Sequence, residues 1–296
     1  MSEKKVILEN EKLLMEVEPF GAELTRVYDK KNDCEMLWEG DPKVWGRHSP
    51  ILFPFVGRCY ENQYSYDGKT YAIGQHGFAR DMEFEPVKTG TDEVWFALAD
   101  SEETLKKYPF RFRLEVGYRL EENRIHVMWR VKNPGEDELY FMIGAHPAFR
   151  TPKGKTIYDY TFDFHQSGKL HYQAPDEAGY REAALDGELD VRDGRIPLEK
   201  GFFQDVLTYI FDRGQVEKIS LLVDGKPFVT VECPGFPYMA IWTMEETHPF
   251  VCLEPWYGRC AEKGFQGDFK EREGVCRLGA GEEFAAEYVI CADAAK

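Results

Sequence analysis

The sequence predicts an all-β protein built as a large antiparallel two-sheet sandwich. Three observations carry that expectation: apolar and polar residues alternate with period two in many short segments, two Asp-Gly pairs join such segments directly, and helical periodicity is nearly absent. In Arg124 to Val131, Ile125, Val127, Trp129 and Val131 share one face, while Arg124, His126, Met128 and Arg130 share the other, which assigns His126 to solvent. The expected strands run, in chain order, over Leu13 to Val17, Ala22 to Tyr28, Glu83 to Lys88, Val94 to Ala99, Arg111 to Leu120, Tyr140 to Gly144, Val216 to Leu222, Met239 to Thr243, Val251 to Leu253 and Glu283 to Ile290. Tyr64 to Tyr66 and Lys69 to Tyr71 flank Asp67-Gly68, and Leu221 to Val223 and Lys226 to Val229 flank Asp224-Gly225. An Asp-Gly pair accepts the positive φ angles of a tight hairpin turn.

One helix is expected, Ser101 to Tyr108, with Asp100 as N-cap and Pro109 as the stop. Pro152 to Lys200 is polar with weak alternation and reads as long connections holding a few short strands. No repeat, low-complexity tract or linker divides the chain, so 1–296 is read as a single domain.

Of the 296 residues, 43% are hydrophobic and 15% aromatic, enough to bury a large core. With 37 Lys and Arg against 53 Asp and Glu, the net charge of −16 opposes nucleic-acid binding, which needs clustered cations. The start, MSEKKVILENEK, holds an apolar island too short for a signal-peptide core, and no apolar run reaches the roughly 18 residues of a membrane span. Seven scattered cysteines without C-x-x-C spacing read as reduced thiols, so the expectation is a soluble cytoplasmic protein, monomer or homodimer, with no nucleic-acid or membrane partner.

No G-x-S-x-G elbow, phosphate-binding P-loop, G-x-G-x-x-G after a strand, or H-E-x-x-H is present. What remains are polar residues in apolar, loop-forming settings at strand ends: Arg58 after Ile51 to Val56, His76 in GQHGFAR, His146 before Pro147, and Glu254 between Leu253 and Pro255-Trp256. A carboxyl after a buried strand and beside an indole is suited to proton exchange, because burial raises its pKa. Each also has a plainer reading. A His-Pro pair, which recurs at His248-Pro249, is commonly a turn; Arg58 could lay its stem over an apolar face; His165 and His171 fall in the polar middle region; Trp242 could be core.

Taken together, GQHGFARDMEFE (Gly74 to Glu85), GAHPAF (Gly144 to Phe149), FFQDVL (Phe202 to Leu207), YMAIWTM (Tyr238 to Met244) and VCLEPWYG (Val251 to Gly258), in this order, resemble the aldose 1-epimerase (galactose mutarotase) family, and within it the divergent branch of LacX-like and hexose-6-phosphate-mutarotase-like proteins. The resemblance implies a galactose mutarotase-like super-sandwich with a sugar pocket on one concave face. It implies His146 as general acid, Glu254 as general base, and Arg58, His76 and Asp205 as sugar-binding groups, with a small-molecule sugar as partner and neither cofactor nor metal. Trp242 or Trp256 could offer a flat apolar face to a pyranose. GAHPAF departs from the Asn-His context of the better-known galactose mutarotases, so a galactose preference is not implied. Arg58 and Arg80 could instead take a 6-phosphate. Two further readings stay open: a non-catalytic carbohydrate-binding sandwich, and a metal site of His76, His146 and Glu254. A Cys59 nucleophile beside Arg58 is more remote, lacking a paired base.

Overall fold

Alternating segments become strands here by laying an apolar face on a core, and central strands such as Phe250–Tyr257 are covered on both faces. The computed structural model describes residues 5–244 and 250–293; the His248-Pro249 turn lies outside the described residues. Every ladder between named strands is antiparallel, and most expected strands are present within a residue or two. Nine strands form the largest sheet, in the order Arg195–Pro197, Tyr160–Asp163, Lys218–Val223, Lys226–Glu232, Glu283–Ala292, Arg124–Lys132, Arg113–Glu121, Glu93–Ala99, Glu85–Thr89. A second sheet orders Thr208–Phe211, Tyr238–Trp242, Phe250–Tyr257, Ile143–Ala145 and Ile51–Leu52, with Ala148–Arg150 also paired to Phe250–Tyr257. Besides these two, the N-terminal strands Val6–Glu9, Leu13–Glu18, Glu23–Asp29 and Cys34–Glu35 make a four-stranded sheet, and three two-stranded ribbons complete the set.

The two large sheets share one core. Val127, Trp129, Tyr288 and Ile290 of the nine-stranded sheet join Met239, Ile241 and Leu253 of the second in a continuous buried cluster. Tyr257 and Phe284 bridge the sheets at 4.9 Å between ring centroids, in the edge-to-face arrangement aromatic quadrupoles favour. In both Asp-Gly turns the two central residues have positive φ (48° and 70° at Asp67-Gly68, 51° and 76° at Asp224-Gly225). This matches the primed turn whose twist suits a hairpin.

The helix spans Glu102–Lys107, and its N-cap is Ser101, not Asp100. Ser101 and Thr104 cap each other reciprocally, while the Asp100 carboxylate accepts from the Phe112 N–H at 3.0 Å and pairs with Arg111. His126 also departs from expectation. It lies on the outer face of the nine-stranded sheet as its alternation requires, yet it is buried, because Glu287 on the adjacent strand meets its Nδ1 at 2.6 Å and Glu121 stands 3.3 Å from Nε2. Val6–Glu9 and Thr208–Phe211 were not expected, and Tyr160–Asp163 is one of the short strands expected but not located in the polar middle stretch; with four residues each, they hold too few alternations to stand out. All seven cysteines are free thiols. Among the described residues, no helix is long and apolar enough to cross a membrane.

Candidate active site

Parity places the site. In the strand Phe250–Tyr257, Val251 and Leu253 point into the shared core, so Cys252 and Glu254 point to the opposite face of the second sheet. On that face lies a cleft of about 710 Å³, whose walls include Trp45, Arg47, His76, Arg80, His146, Asp205, Trp242, Glu254 and Trp256. A second cavity of about 250 Å³, lined in part by Cys59, Tyr64, Phe269 and Arg272, lies apart from these residues.

The floor of the large cleft is a histidine and a carboxyl. Ile143–Ala145 pairs with Phe250–Tyr257, and this register brings His146, immediately after the short strand, to Glu254. His146 Nε2 stands 3.3 Å from Glu254 Oε2, with Glu254 1% exposed. Glu254 Oε2 and His146 Nδ1 are both buried without a hydrogen-bond partner. Polar atoms left bare in this way are costly in a folded protein unless something else comes to meet them. Trp256 fixes the geometry: its indole N–H donates to the Ala145 carbonyl at 3.0 Å, and its ring packs where any side chain at position 144 would have to go. Although Trp256 borders the cleft, it is buried and committed to holding the His146 segment, so the exposed platform is elsewhere.

That platform is Trp242 together with Trp45. Both rings lie 5.1 Å from the His146 imidazole, Trp242 edge-on and Trp45 tilted, and they meet each other edge-on at 5.7 Å. His76 closes the third side at 5.5 Å. His76 has φ of +64°, an uncommon value for a residue with a side chain, and it is followed by Gly77 at +73°. A Cβ on Gly77 would fall 2.3 Å from the Phe53 carbonyl oxygen. The unusual backbone is held by hydrogen bonds from the His76 N–H to the Gly57 carbonyl and from the Phe53 N–H to the His76 carbonyl. His76 Nδ1 accepts from the Gly57 N–H at 3.1 Å, which leaves Nε2 to carry the ring proton.

Electrostatics divide the site. Burial, followed by the charges of Arg80, His146, Arg47 and Arg58, holds His76 well below the ordinary histidine pKa and so neutral. Burial, followed by Arg80, lowers His146 to about 3. Glu254 moves the other way: burial pushes it well up, opposed by the Trp256 indole. Burial thus pushes both groups toward their neutral forms, and the dry floor favours a proton on the carboxyl over an ion pair. Arg80 and Arg47 line one wall, with Arg47 Nη2 on Asp81 at 2.7 Å and Arg80 Nη2 on the Gln75 carbonyl at 2.8 Å. Burial, with Arg47 as the next cause, brings Arg80 down to about 10. Asp176, Glu177 and Asp205 supply acidic groups to the lining.

Of the eight residues singled out in the sequence, seven line this cleft and Arg58 does not. Arg58 turns its guanidinium toward Gln75 at 3.4 Å, beside the lining. Arg47 and Trp45 went unrecognised, since they sit in a segment without regular alternation. Cys59 is turned away from the cleft: its sulfur accepts from Arg272, not Arg58, at 3.0 Å, and burial raises its pKa, so a thiolate nucleophile has no support. Among the described residues, the donor set close enough for a metal is His146, Cys252 and Glu254, with Cys252 in place of the His76 of the open metal reading.

The comparisons agree with this architecture. The family profile described as aldose 1-epimerase matches residues 4–263. The chromosomal protein LacX of Lactococcus lactis subsp. lactis is 30% identical over 272 residues, covering 85% of this chain and 87% of that protein. The solved structure of a galactose mutarotase related enzyme from Lactobacillus acidophilus superposes with a TM-score of 0.91 at 33% identity, covering 99% of this chain and all of the other. A galactose mutarotase-like protein from Lactobacillus casei gives 0.89 at 29% identity, covering 97% and 99% of the two chains. With its profile spanning most of the sequence and its fold shared along the whole length, the chain belongs to the aldose 1-epimerase family.

Proposed function

We propose that this protein is a cytoplasmic aldose 1-epimerase, folded as one domain, that interconverts the α and β anomers of a hexose, with His146 as acid and Glu254 as base. The observation that carries the reading is the facing pair itself, 3.3 Å apart on the floor of a cleft and short of hydrogen-bond partners. Anomerisation needs one proton to leave the C1 hydroxyl and another to reach the ring oxygen, after which the C1–O5 bond breaks and an aldehyde forms. Rotation about C1–C2 presents the other carbonyl face. As the ring recloses, Glu254 returns its proton to the carbonyl oxygen and His146 recovers its own from the O5 hydroxyl, so nothing is consumed and no covalent intermediate forms.

A sugar entering the cleft brings hydroxyls to the bare Glu254 oxygen, which favours the carboxylate and moves the shared proton onto His146. In that state the base and acid are set as the reaction requires, each contributing about 10²- to 10⁴-fold. His76 Nε2–H and Arg80 suit the ring oxygen and neighbouring hydroxyls, Asp205 suits two adjacent hydroxyls, and Trp242 with Trp45 suits the apolar face of the ring. Arg58, outside the lining, has the weakest case for touching the sugar.

A second reading, hexose 6-phosphate as substrate, is favoured by one observation: Arg47 and Arg80 share a wall of the cleft with Asp81 as their salt-bridge carboxylate. In this reading Arg47 takes the role first considered for Arg58, as the partner of Arg80. Polarimetry and proton NMR on freshly dissolved α-hexoses and their 6-phosphates test both readings. Acceleration of free hexoses supports the first, acceleration confined to phosphates supports the second, and sugar binding with no acceleration reduces the protein to a carbohydrate-binding sandwich.

A further inference from the structure

Cys252 takes no part in the acid and base scheme, yet it lies beside it. It precedes Glu254 by two positions in one strand, so the two side chains leave on the same face. One donor atom from each of His146, Cys252 and Glu254 lies within 4.8 Å of the others, all three residues are buried, and no other group of this kind occurs among the described residues. Glu254 Oε2, on a residue 1% exposed, has no hydrogen-bond partner. Imidazole, thiolate and carboxylate together suit borderline-soft divalent cations, whereas magnesium prefers an all-oxygen octahedron. At tetrahedral zinc, ligand bonds of about 2.0 to 2.3 Å put neighbouring donors roughly 3.5 Å apart. His146 and Glu254 already have that separation, at 3.3 Å, and with all donors within 4.8 Å the sulfur needs to approach by no more than roughly 1.3 Å. His146 and Glu254 also line the cleft, so a fourth position opens toward it.

We propose that His146, Cys252 and Glu254 form a binding site for a zinc-class divalent cation at the cleft floor, and that such an ion inhibits the protein by occupying both proton-carrying groups. Binding releases the thiol and carboxyl protons to solvent as the metal–sulfur, metal–nitrogen and metal–oxygen bonds form. Arg80 and Arg47 oppose any divalent cation alike, and only an ion that gains a thiolate bond offsets that repulsion, which disfavours magnesium. The inhibition rests on the epimerase reading; the binding does not.

Cobalt(II) titration of the full-length protein tests the site directly. One equivalent should produce a thiolate-to-cobalt charge-transfer absorption in the near ultraviolet. The absorption should vanish in Cys252→Ala and in the size-matched Cys252→Ser, and persist in Cys260→Ala, which removes the thiol that lines the cleft. Zinc, and not magnesium, should slow mutarotation, and Cys252→Ala should raise the half-inhibiting zinc concentration at least about 10-fold. No absorption, or one that survives loss of Cys252, overturns the proposal. A Cys252-dependent absorption in a protein that turns over no sugar upholds the metal site and removes the epimerase reading instead.

Discussion

Two buried histidines of this protein each face a glutamate, and they differ where it matters. The side chains of His126 and His146 are equally covered, at 10% and 9% exposure. At His126 the partner carboxylates Glu287 and Glu121 are 41% and 64% exposed, so water stabilises their charge whether or not the imidazole is protonated. At His146 the partner is 1% exposed, and neither charge has water to support it. Burial of the imidazole therefore does not identify the reactive pair. Desolvation of its carboxyl does, joined to a cleft large enough to admit the molecule that completes its hydrogen bonding.

The largest expected effect concerns the imidazole. His146→Gln should lower kcat/KM for mutarotation by at least about 10²-fold, and His126→Gln should leave it unchanged. An equal loss in both variants would erase the distinction between the two sites. The pH profile sharpens it. Activity is lost when the pair gains a second proton, on passing below the His146 value of about 3, or loses its only one, on passing above the raised Glu254 value. No step in kcat/KM should be centred near 6.5, where an ordinary histidine titrates; a fall centred there would contradict the assignment.

Stability should respond in opposite directions to the same two shifts. His146 is lowered from 6.5 to about 3, so its contribution is present above 6.5 and is lost as pH falls toward 3. Glu254 is raised above 4.5, so its contribution is present below 4.5 and is lost as pH rises toward the folded value. Glu254→Gln should therefore lose less Tm between pH 5 and pH 8 than the parent, measured by calorimetry.

The smallest effect is on the platform. Trp45→Ala removes a ring against His146 and one apolar wall, and aromatic contacts of this kind are worth about 0.5 to 1.5 kcal/mol. KM should rise roughly 2- to 13-fold with kcat changing less, whereas a collapse of kcat alone would mean that Trp45 orients the imidazole.

These contrasts also explain which parts of the molecule are legible in the sequence. Long strands such as Arg124–Lys132 announce themselves because one face of regularly alternating side chains enters a core. His76, His146, Asp205 and Glu254 each sit in a short, distinctive string of the sequence. Arg47 and Trp45 do not, because nothing local marks them: they occupy coil between Leu37 and Pro50, and only the packing of that coil against the second sheet delivers them to the cleft. Arg58 misled for the complementary reason. Its position after a buried run was visible, but not the direction of its side chain toward Gln75. Cys252 read as strand interior, since alternation reveals a face without revealing what lies opposite.

Glu254 is expected to exchange a proton with the sugar, whereas Glu287, paired more closely with its histidine at 2.6 Å against 3.3 Å, is not. Polarimetric mutarotation rates of Glu254→Gln and Glu287→Gln, measured side by side on the preferred hexose, test that most directly. The prediction is a fall of at least about 10²-fold for Glu254→Gln and less than about twofold for Glu287→Gln. A Glu254→Gln protein as fast as the parent would contradict it.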